Sequence, residues 1–295
     1  MANDKKIVVI GGGTGQAVFL RGLKQYSQNI TAVVPVTDNG SSSGMLREDL
    51  GMLPPGDIRS CLLALAETEP TMETIFQYRF DRGRLEGQNF GNLFIAAMTE
   101  IFGSFERAVQ EMGKFLSIKG KVLPVSLDDV QLSVELENGV KVLGESGIKL
   151  EVMKQKSPIK KVEVTPEPKA NKEVLNEIEN ADIIIIGPGS LYTSILADLV
   201  IPGVSDAVRA SKAKKVYVAN LMTQPGETDN MSILDCLKAI EEHCGEGLID
   251  VLVCNNMRLD KDALKAMKVD EEDMKTGNVF IDAMEKYQEQ EHLLN

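Results

Sequence analysis

The stretch Lys6-Ile7-Val8-Val9-Ile10-Gly11-Gly12-Gly13-Thr14-Gly15 decides the fold class. Its first five residues form a short, nearly continuous apolar run, the pattern of a strand buried on both faces of a parallel sheet. Glycines follow at once, and Ala17, Leu20 and Leu23 then recur at helical spacing. A strand that turns through glycines straight into a helix is the opening unit of an alternating α/β chain.

Outward from this unit, Ile30 to Val36 reads as a second strand. Breaker clusters occupy Asn39 to Gly44 and Gly51 to Gly56, and helical patterns run from Ile58 to about Leu116. Parallel α/β organisation resumes at Leu175, with aliphatic strands at Ala181 to Ile186, Val216 to Ala219 and Ile249 to Cys254. Each of these ends in a polar or glycine-rich loop followed by a helical pattern. Between the two halves the period changes. Leu132, Val134 and Leu136 alternate with polar residues, and Asn138-Gly139 precedes alternating Val140 and Val142, a strong hairpin signal. Lys160 to Val164 alternates again before Pro166 and Pro168. The expectation is one α/β domain over 1–295, with a mostly parallel sheet, a small antiparallel β insertion at 119–166, and a charged tail at 257–295. Asp270 to Asp273 reads as a solvated helix start in that tail.

Composition excludes several functions. The 295 residues are 43% hydrophobic and 26% charged, which is globular and not disordered. Lys and Arg total 32 against 44 Asp and Glu, a net charge of −12, so a nucleic-acid polyanion meets repulsion. The nearest approach to a basic block, Lys212, Lys214 and Lys215, reads as a solvated helix end. No apolar run approaches a membrane span, and the first ten residues lack the apolar length of a signal peptide, so a cytoplasmic protein with no membrane partner is expected. Cys61, Cys236, Cys244 and Cys254 show no Cys-x-x-Cys spacing, which argues against zinc and dithiol chemistry. Of the two imidazoles, His243 falls where a helix C-terminal turn favours a cation, and His292 lies in the tail. A serine or cysteine nucleophile with a histidine base is therefore poorly supported.

The chemistry concentrates in loops after the parallel strands, which an open α/β sheet gathers at its carboxyl edge. Gly11, Gly12, Gly13, Thr14 and Gly15 offer backbone donors at a helix N-terminus, suited to a phosphate. The loop is not a Walker A sequence, and Gln16 and Val18 leave the dinucleotide fingerprint incomplete. After the second strand, Asp38 and Asn39 lead into Ser41, Ser42 and Ser43, a hydroxyl-rich anion nest. Asp57 suits a helix N-cap and Arg59 a phosphate contact. Asn89 and Asn92 flank Phe90-Gly91. Gly187 and Gly189 repeat the logic of the first loop, with Ser190 placed to cap a helix and Tyr192 and Thr193 behind it. Asn220, Met222, Thr223 and Gln224 close the set, their amides suited to a base or sugar. Two anion-cradling loops suggest a diphosphate-bearing ligand or two phosphorylated ligands.

Taken together, these blocks resemble the gluconeogenesis-factor proteins, a branch of the family that includes the CofD phospholactate transferases. The matching stretches are Ile10 to Gly15, the Asp38 loop with Ser42, Ser43 and Gly44, and Leu53 to Arg59. Phe76 to Phe80, Phe90 to Leu93, Gly187 to Ser194 and Asn220 to Thr228 complete them. The resemblance implies a three-layer Rossmann-like fold, a cytoplasmic homodimer and a regulatory role in cell shape and wall synthesis during gluconeogenic growth. It implies binding of a UDP-sugar such as UDP-N-acetylglucosamine with no cofactor required, and a protein partner in wall synthesis. CofD relatives instead move a phospholactyl group from a nucleotide donor with Mg²⁺, using an acidic pair after the second strand. Here that pair reads Asp38-Asn39, leaving Asp38 as the catalytic and metal-binding carboxylate of the transferase alternative. Gln88 stands where relatives often carry His, and the tail lacks their tyrosine and Arg-His pair. An NAD-dependent dehydrogenase rests only on the glycine loop and Asp38. The pattern of 119–166 leaves a dimer surface and a lid equally open.

Overall fold

The computed structural model describes residues 5–67 and 70–255. The tail read at 257–295, with His292, lies outside them. β1 (Ile7–Ile10) turns through the glycines into α1 (Gly13–Leu23), and β2 (Ile30–Val34) returns to the sheet. Helices α2 (Ser41–Leu50), α3 (Gly56–Leu65), α4 (Pro70–Gln77), α5 (Phe90–Phe102) and α6 (Phe105–Phe115) precede β3 (Lys121–Pro124). The chain continues through β4 (Gln131–Leu136), β5 (Lys141–Leu143), α7 (Glu145–Gln155), β6 (Ile159–Thr165) and α8 (Lys172–Glu179). It then runs β7 (Ile183–Ile186), α9 (Leu196–Leu199), α10 (Val204–Ala210), β8 (Lys214–Val218), α11 (Ile233–Cys244) and β9 (Val251–Val253).

Among the described residues the main sheet has six strands in the order β3-β2-β1-β7-β8-β9, and every pairing is parallel. This is the helix-flanked, Rossmann-like α/β arrangement. The order runs outward from β1 in both directions, so its switch point lies between β1 and β7, where the loops after these strands part. Every residue of β1 and β2 is buried, which explains why β1 reads as an unbroken apolar run and β2 as one interrupted only by Thr31, and neither as alternation. α1 packs on the sheet partly through a polar residue. Gln16 is wholly buried, and its Nε2 donates to Val9 O (3.1 Å) and Val33 O (3.0 Å), tying the helix to β1 and β2 together.

Three readings need correction. The segment starting at 119 is not antiparallel from its beginning, because β3 is the parallel edge strand of the main sheet, paired with β2. The insertion proper is a three-stranded antiparallel sheet, β5-β4-β6, and it contains α7, which the alternation did not signal. α7 buries Ile148 and Val152 but exposes Leu150 and Met153, so no single apolar stripe marks it. The helical reading of Ile58 to Leu116 is broken between α4 and α5 by a hairpin-like loop. There Phe80 N–H donates to Gln88 O (2.9 Å) and Gly87 N–H to Phe80 O (2.9 Å), with Gly83 and Gly87 at φ +78° and +82°.

The expected hairpin forms at Asn138-Gly139, but only Gly139 takes positive φ (+84°). Gly139 N–H donates to Leu136 O and Leu136 N–H to Val140 O, a three-residue turn closed by a glycine bulge in place of a two-residue one. His243 lies in the last turn of α11, as expected, and its ring makes two further contacts: Nε2 accepts Val162 N–H (3.0 Å) and Nδ1 faces Ala239 O (2.7 Å), which ties α11 to β6. Among the described residues no single helix is long and apolar enough to cross a membrane.

Candidate functional site

The glycine turn after β1 is shaped by what touches it. A side chain at residue 12 would place its Cβ 2.6 Å from Asp57 Oδ2 and 2.8 Å from Pro35 Cγ, so only glycine fits. Gly13 takes φ +68°, and nothing lies within 4 Å of where its Cβ would stand, because that side opens into a cleft. The loop after β7 lies against it. A Cβ at Gly15 would lie 3.3 Å from Pro188 O and one at Gly189 3.2 Å from Gly12 O, tighter than ordinary packing, so the two loops are in close contact.

The resulting cleft, about 650 Å³, lies at the carboxyl ends of β1, β7 and β8. Gly12 to Gly15 form one wall, Pro188 to Ser190 the floor, and Asn220 to Gln224 the far side. Its mouth is apolar: Val18 and Leu221 are 59% and 58% exposed there, with Phe19 and Met222 beside them. Backbone N–H groups at a helix N-terminus on one side and aliphatic faces on the other suit an anionic group attached to a flat or ring-shaped body.

The far wall is rigid for an internal reason. Asn220 accepts Gly189 N–H at Oδ1 (3.1 Å) and donates from Nδ2 to Gly189 O (2.8 Å), so both ends of its amide are occupied by backbone. Gln224 Nε2 donates to Ser190 Oγ (2.9 Å), while its Oε1 is buried without a partner. Ser190 does not cap the following helix as its position suggests. A π-helical turn at Leu191–Ile195 follows it, and its side chain is held by Gln224 instead.

Behind the glycine turn stands a group of acids. Asp57 is in the first turn of α3, not at its N-cap, which is Pro55. Its Oδ2 accepts Gly13 N–H (2.9 Å), so a carboxylate already occupies one donor of the α1 N-terminus. Burial, followed by the nearby Asp38 carboxylate, pushes Asp57 up to about 6. Asp38 itself accepts Gly40 N–H (2.8 Å). Glu145, from the first turn of α7, is held well above the usual carboxylate range by burial and then by Asp38, Asp57 and Glu227. Glu227 is raised chiefly by burial, and its Oε1 accepts from Thr193 Oγ1 (3.4 Å). Asp198, fully buried in α9, is likewise raised by burial and by Asp57. Sequence reasoning passed over Glu145 and Glu227, which sit in polar stretches that read as surface, and Asp198, a single acid within an apolar helical run; only the topology brings the three to this region.

Asn39 does not stand with these acids as a ligand group. Its Oδ1 accepts Ser146 N–H (2.9 Å), serving as a cap for α7, whose own N-cap is Gly144. A second cleft of about 340 Å³ opens on the other side of α1, where Arg59 and Asn89 meet Thr14, Arg21 and Arg79.

The sequence and fold comparisons meet this geometry. A profile of the family described as 2-phospho-L-lactate transferase CofD matches residues 7–292. A putative gluconeogenesis factor of Thermoanaerobacterium thermosulfurigenes is 55% identical over 255 residues, covering 86% of this chain and 79% of the relative. The gluconeogenesis factor of Bacillus subtilis is 48% identical over 258 residues, covering 87% and 80%. This chain is a CofD-family protein of the gluconeogenesis-factor branch. A putative gluconeogenesis factor of Clostridium acetobutylicum is 54% identical across 87% of this chain, which spans 57% of that relative's length. A Bacillus halodurans crystal structure superposes with a TM-score of 0.85 at 45% identity, over 94% of this chain and 91% of that one.

In this CofD-family chain Asp38 and Asp57 belong to the acid group, Asn39 caps α7 and Arg59 faces the second cleft, while the other candidate residues fall into three settings. Gly12, Gly13, Thr14, Gly15, Gly189, Ser190, Asn220, Met222, Thr223 and Gln224 line the larger cleft, with Gly11 and Gly187 packed beneath it. Ser42, Asn89 and Asn92 form a buried network with Gln88: Ser42 Oγ donates to Gln88 Oε1 and accepts from Asn89 N–H and Asn92 Nδ2. Ser43 is buried against Gly56 beside them. Tyr192 and Thr193 are 4% and 5% exposed, with the Tyr192 hydroxyl on Met231 Sδ and Thr193 on Glu227. Among the described residues no group of three His, Cys, Asp or Glu side chains is arranged to hold a metal.

Proposed function

We propose that this protein binds a nucleoside-diphosphate sugar of the UDP-N-acetylglucosamine type in the larger cleft, as a cytoplasmic regulator of cell shape and wall synthesis during gluconeogenic growth. The observation that carries the reading is the cleft's composition: glycine backbone donors at the α1 N-terminus on one wall, aliphatic side chains at the mouth. A diphosphate fits the first and a base or sugar face the second. Regulation without turnover is supported by His243, whose two ring nitrogens are both engaged elsewhere. A homodimer and a protein partner in wall synthesis belong to the same reading. Mg²⁺ is not required for it. If Mg²⁺ enters with the ligand, Asp38 and Asp57 are the carboxylates to hold it alongside phosphate oxygens, where it would neutralise diphosphate charge.

The test is calorimetric titration with UDP-N-acetylglucosamine, with UDP, GDP and NAD as comparators, with and without Mg²⁺. Saturable binding of the UDP-sugar, with no new product by mass spectrometry, is expected. No heat at millimolar ligand removes the reading. One observation favours a second function, Mg²⁺-dependent transfer of a phospholactyl group: Asp57, raised to about 6 beside Asp38, is suited to exchange a proton near neutrality. That reading requires product formation from a nucleotide donor and its loss in Asp38→Ala.

A further inference from the structure

The Asn89-Phe90-Gly91-Asn92 motif has a use that the larger cleft does not explain. A Cβ at Gly91 would lie 2.6 Å from Arg59 Cδ, so the missing side chain makes the slot in which the arginine stem rests. Asn89 caps α5 by accepting Asn92 N–H (3.1 Å), and Asn92 Oδ1 then accepts Arg59 Nη1–H (2.9 Å). The motif therefore fixes one guanidinium. Arg79 reaches the same 340 Å³ cleft from the loop after α4, held by Ser41 Oγ (2.9 Å) and Gly87 O.

The partners of these two arginines are neutral: an amide, two hydroxyls and a carbonyl. Arg59 is held below its ordinary value by burial and then by the charge of Arg79, which together outweigh the opposing pull of the Asp57 and Asp38 carboxylates, neither of which bonds to it, and its Nε is buried without a partner. Two guanidinium groups that repel each other, one of them largely removed from water, are costly unless an anion joins them. This occurs in a chain of net charge −12, where carboxylates to pair with them are abundant. Thr14, in the first turn of α1, and Ser60 add hydroxyls to the same wall.

We infer that the cleft between α1, α3 and the Tyr78–Asn89 loop is a second anion subsite, which takes a tetrahedral phosphate group through the forks of Arg59 and Arg79 with Thr14 beside them. The subsite stands on its own geometry, whether or not the larger cleft holds a nucleotide. Both clefts share Thr14 and Val18. The phosphate therefore has two sources, a group on the molecule seated in the larger cleft or a separate phosphorylated molecule.

The test titrates the intact protein with inorganic phosphate by calorimetry and by thermal shift, with chloride at matched ionic strength as the comparator. Phosphate should bind saturably and raise Tm beyond the chloride control. Arg79→Gln, at an exposed position that leaves the Arg59 slot intact, should weaken phosphate about tenfold or more. Arg59→Gln, accepted only if its circular dichroism and melting remain cooperative, should do the same. Arg107→Gln, an equal charge change on α6, should leave phosphate affinity unaltered. Equal stabilisation by phosphate and chloride overturns the subsite, as does an Arg79→Gln variant that binds phosphate like the parent. Additive shifts with UDP-N-acetylglucosamine identify a separate phosphorylated ligand, and competition identifies one molecule spanning both clefts; each supports the subsite. Phosphate binding without any UDP-sugar binding keeps the subsite and removes the nucleotide-sugar reading alone.

Discussion

Asp57, from the first turn of α3, accepts a donor at the start of α1, where a ligand phosphate would also be drawn, and partial burial raises its carboxyl. The folded protein holds its proton up to about pH 6, whereas an unfolded chain releases it near 3.8. Between those values the folded state binds more protons, so stability falls as pH rises through about 4 to 6 and the loss is complete above that window. The shift is worth about 3 kcal/mol. Glu145, Glu227 and Asp198 are raised as well, so their contributions carry the same sign. Asp57→Asn keeps an oxygen for Gly13 N–H and removes the charge. Chemical denaturation between pH 4 and 8 should show a flatter profile for the variant and a higher midpoint at pH 7.5; an unchanged slope would mean that Asp57 is ionised throughout. Gly12 is the complementary case, since there the limit is volume. Gly12→Ala drives a methyl against Asp57 and Pro35 and should cost about 1–3 kcal/mol, read as a lowered denaturation midpoint.

At the level of elements, the antiparallel insertion braces two site loops. α7 has no capping side chain of its own and takes one from Asn39, 107 positions earlier, while its Lys149 packs so closely on Gly226 that a Cβ there would lie 2.7 Å away. The helix thus spans from the Asp38 loop to the loop after β8. Asn39→Ala should cost about 1 kcal/mol, the usual value of a lost cap, with faster amide exchange confined at first to the opening turn of α7. Asn39→Asp keeps the acceptor but adds a carboxylate beside Asp38, Asp57 and Glu145. Its stability should match the parent near pH 4 and fall below it above pH 6. If Asn39→Asp matches the parent at every pH, the amide is not there to limit charge. None of this was legible in the sequence. A cap contributed by a distant residue leaves no local signal, and Asp38-Asn39 alone reads as a weakened acid pair.

For the molecule as a whole, what could be read was what burial writes into the chain. β1, β2 and β7 are interior strands of one parallel sheet, so each had to be a largely aliphatic run, and the glycine loops at their ends were visible because close backbone contact tolerates nothing larger. β3 was misassigned because four residues at a sheet edge, ending in proline, carry neither an interior run nor clean alternation. Of the arginine cleft, the sequence offered Arg59 as a phosphate contact but not its neighbour Arg79, since the two meet only through the packing of α3, α4 and α5. The strand order gives one more consequence. The walls of the larger cleft come from loops after β1, β7 and β8, on both sides of the switch point, so one ligand must protect all of them together. A nucleotide sugar at one hundred times its dissociation constant should stabilise the fold by about 2.7 kcal/mol, a melting shift of several degrees. Amide exchange should then slow in step at Gly13 to Gly15, Gly189 to Ser190 and Leu221 to Gln224. Protection at only one of these segments would place the ligand outside the cleft, because no molecule seated between those walls can shield one and leave the others open.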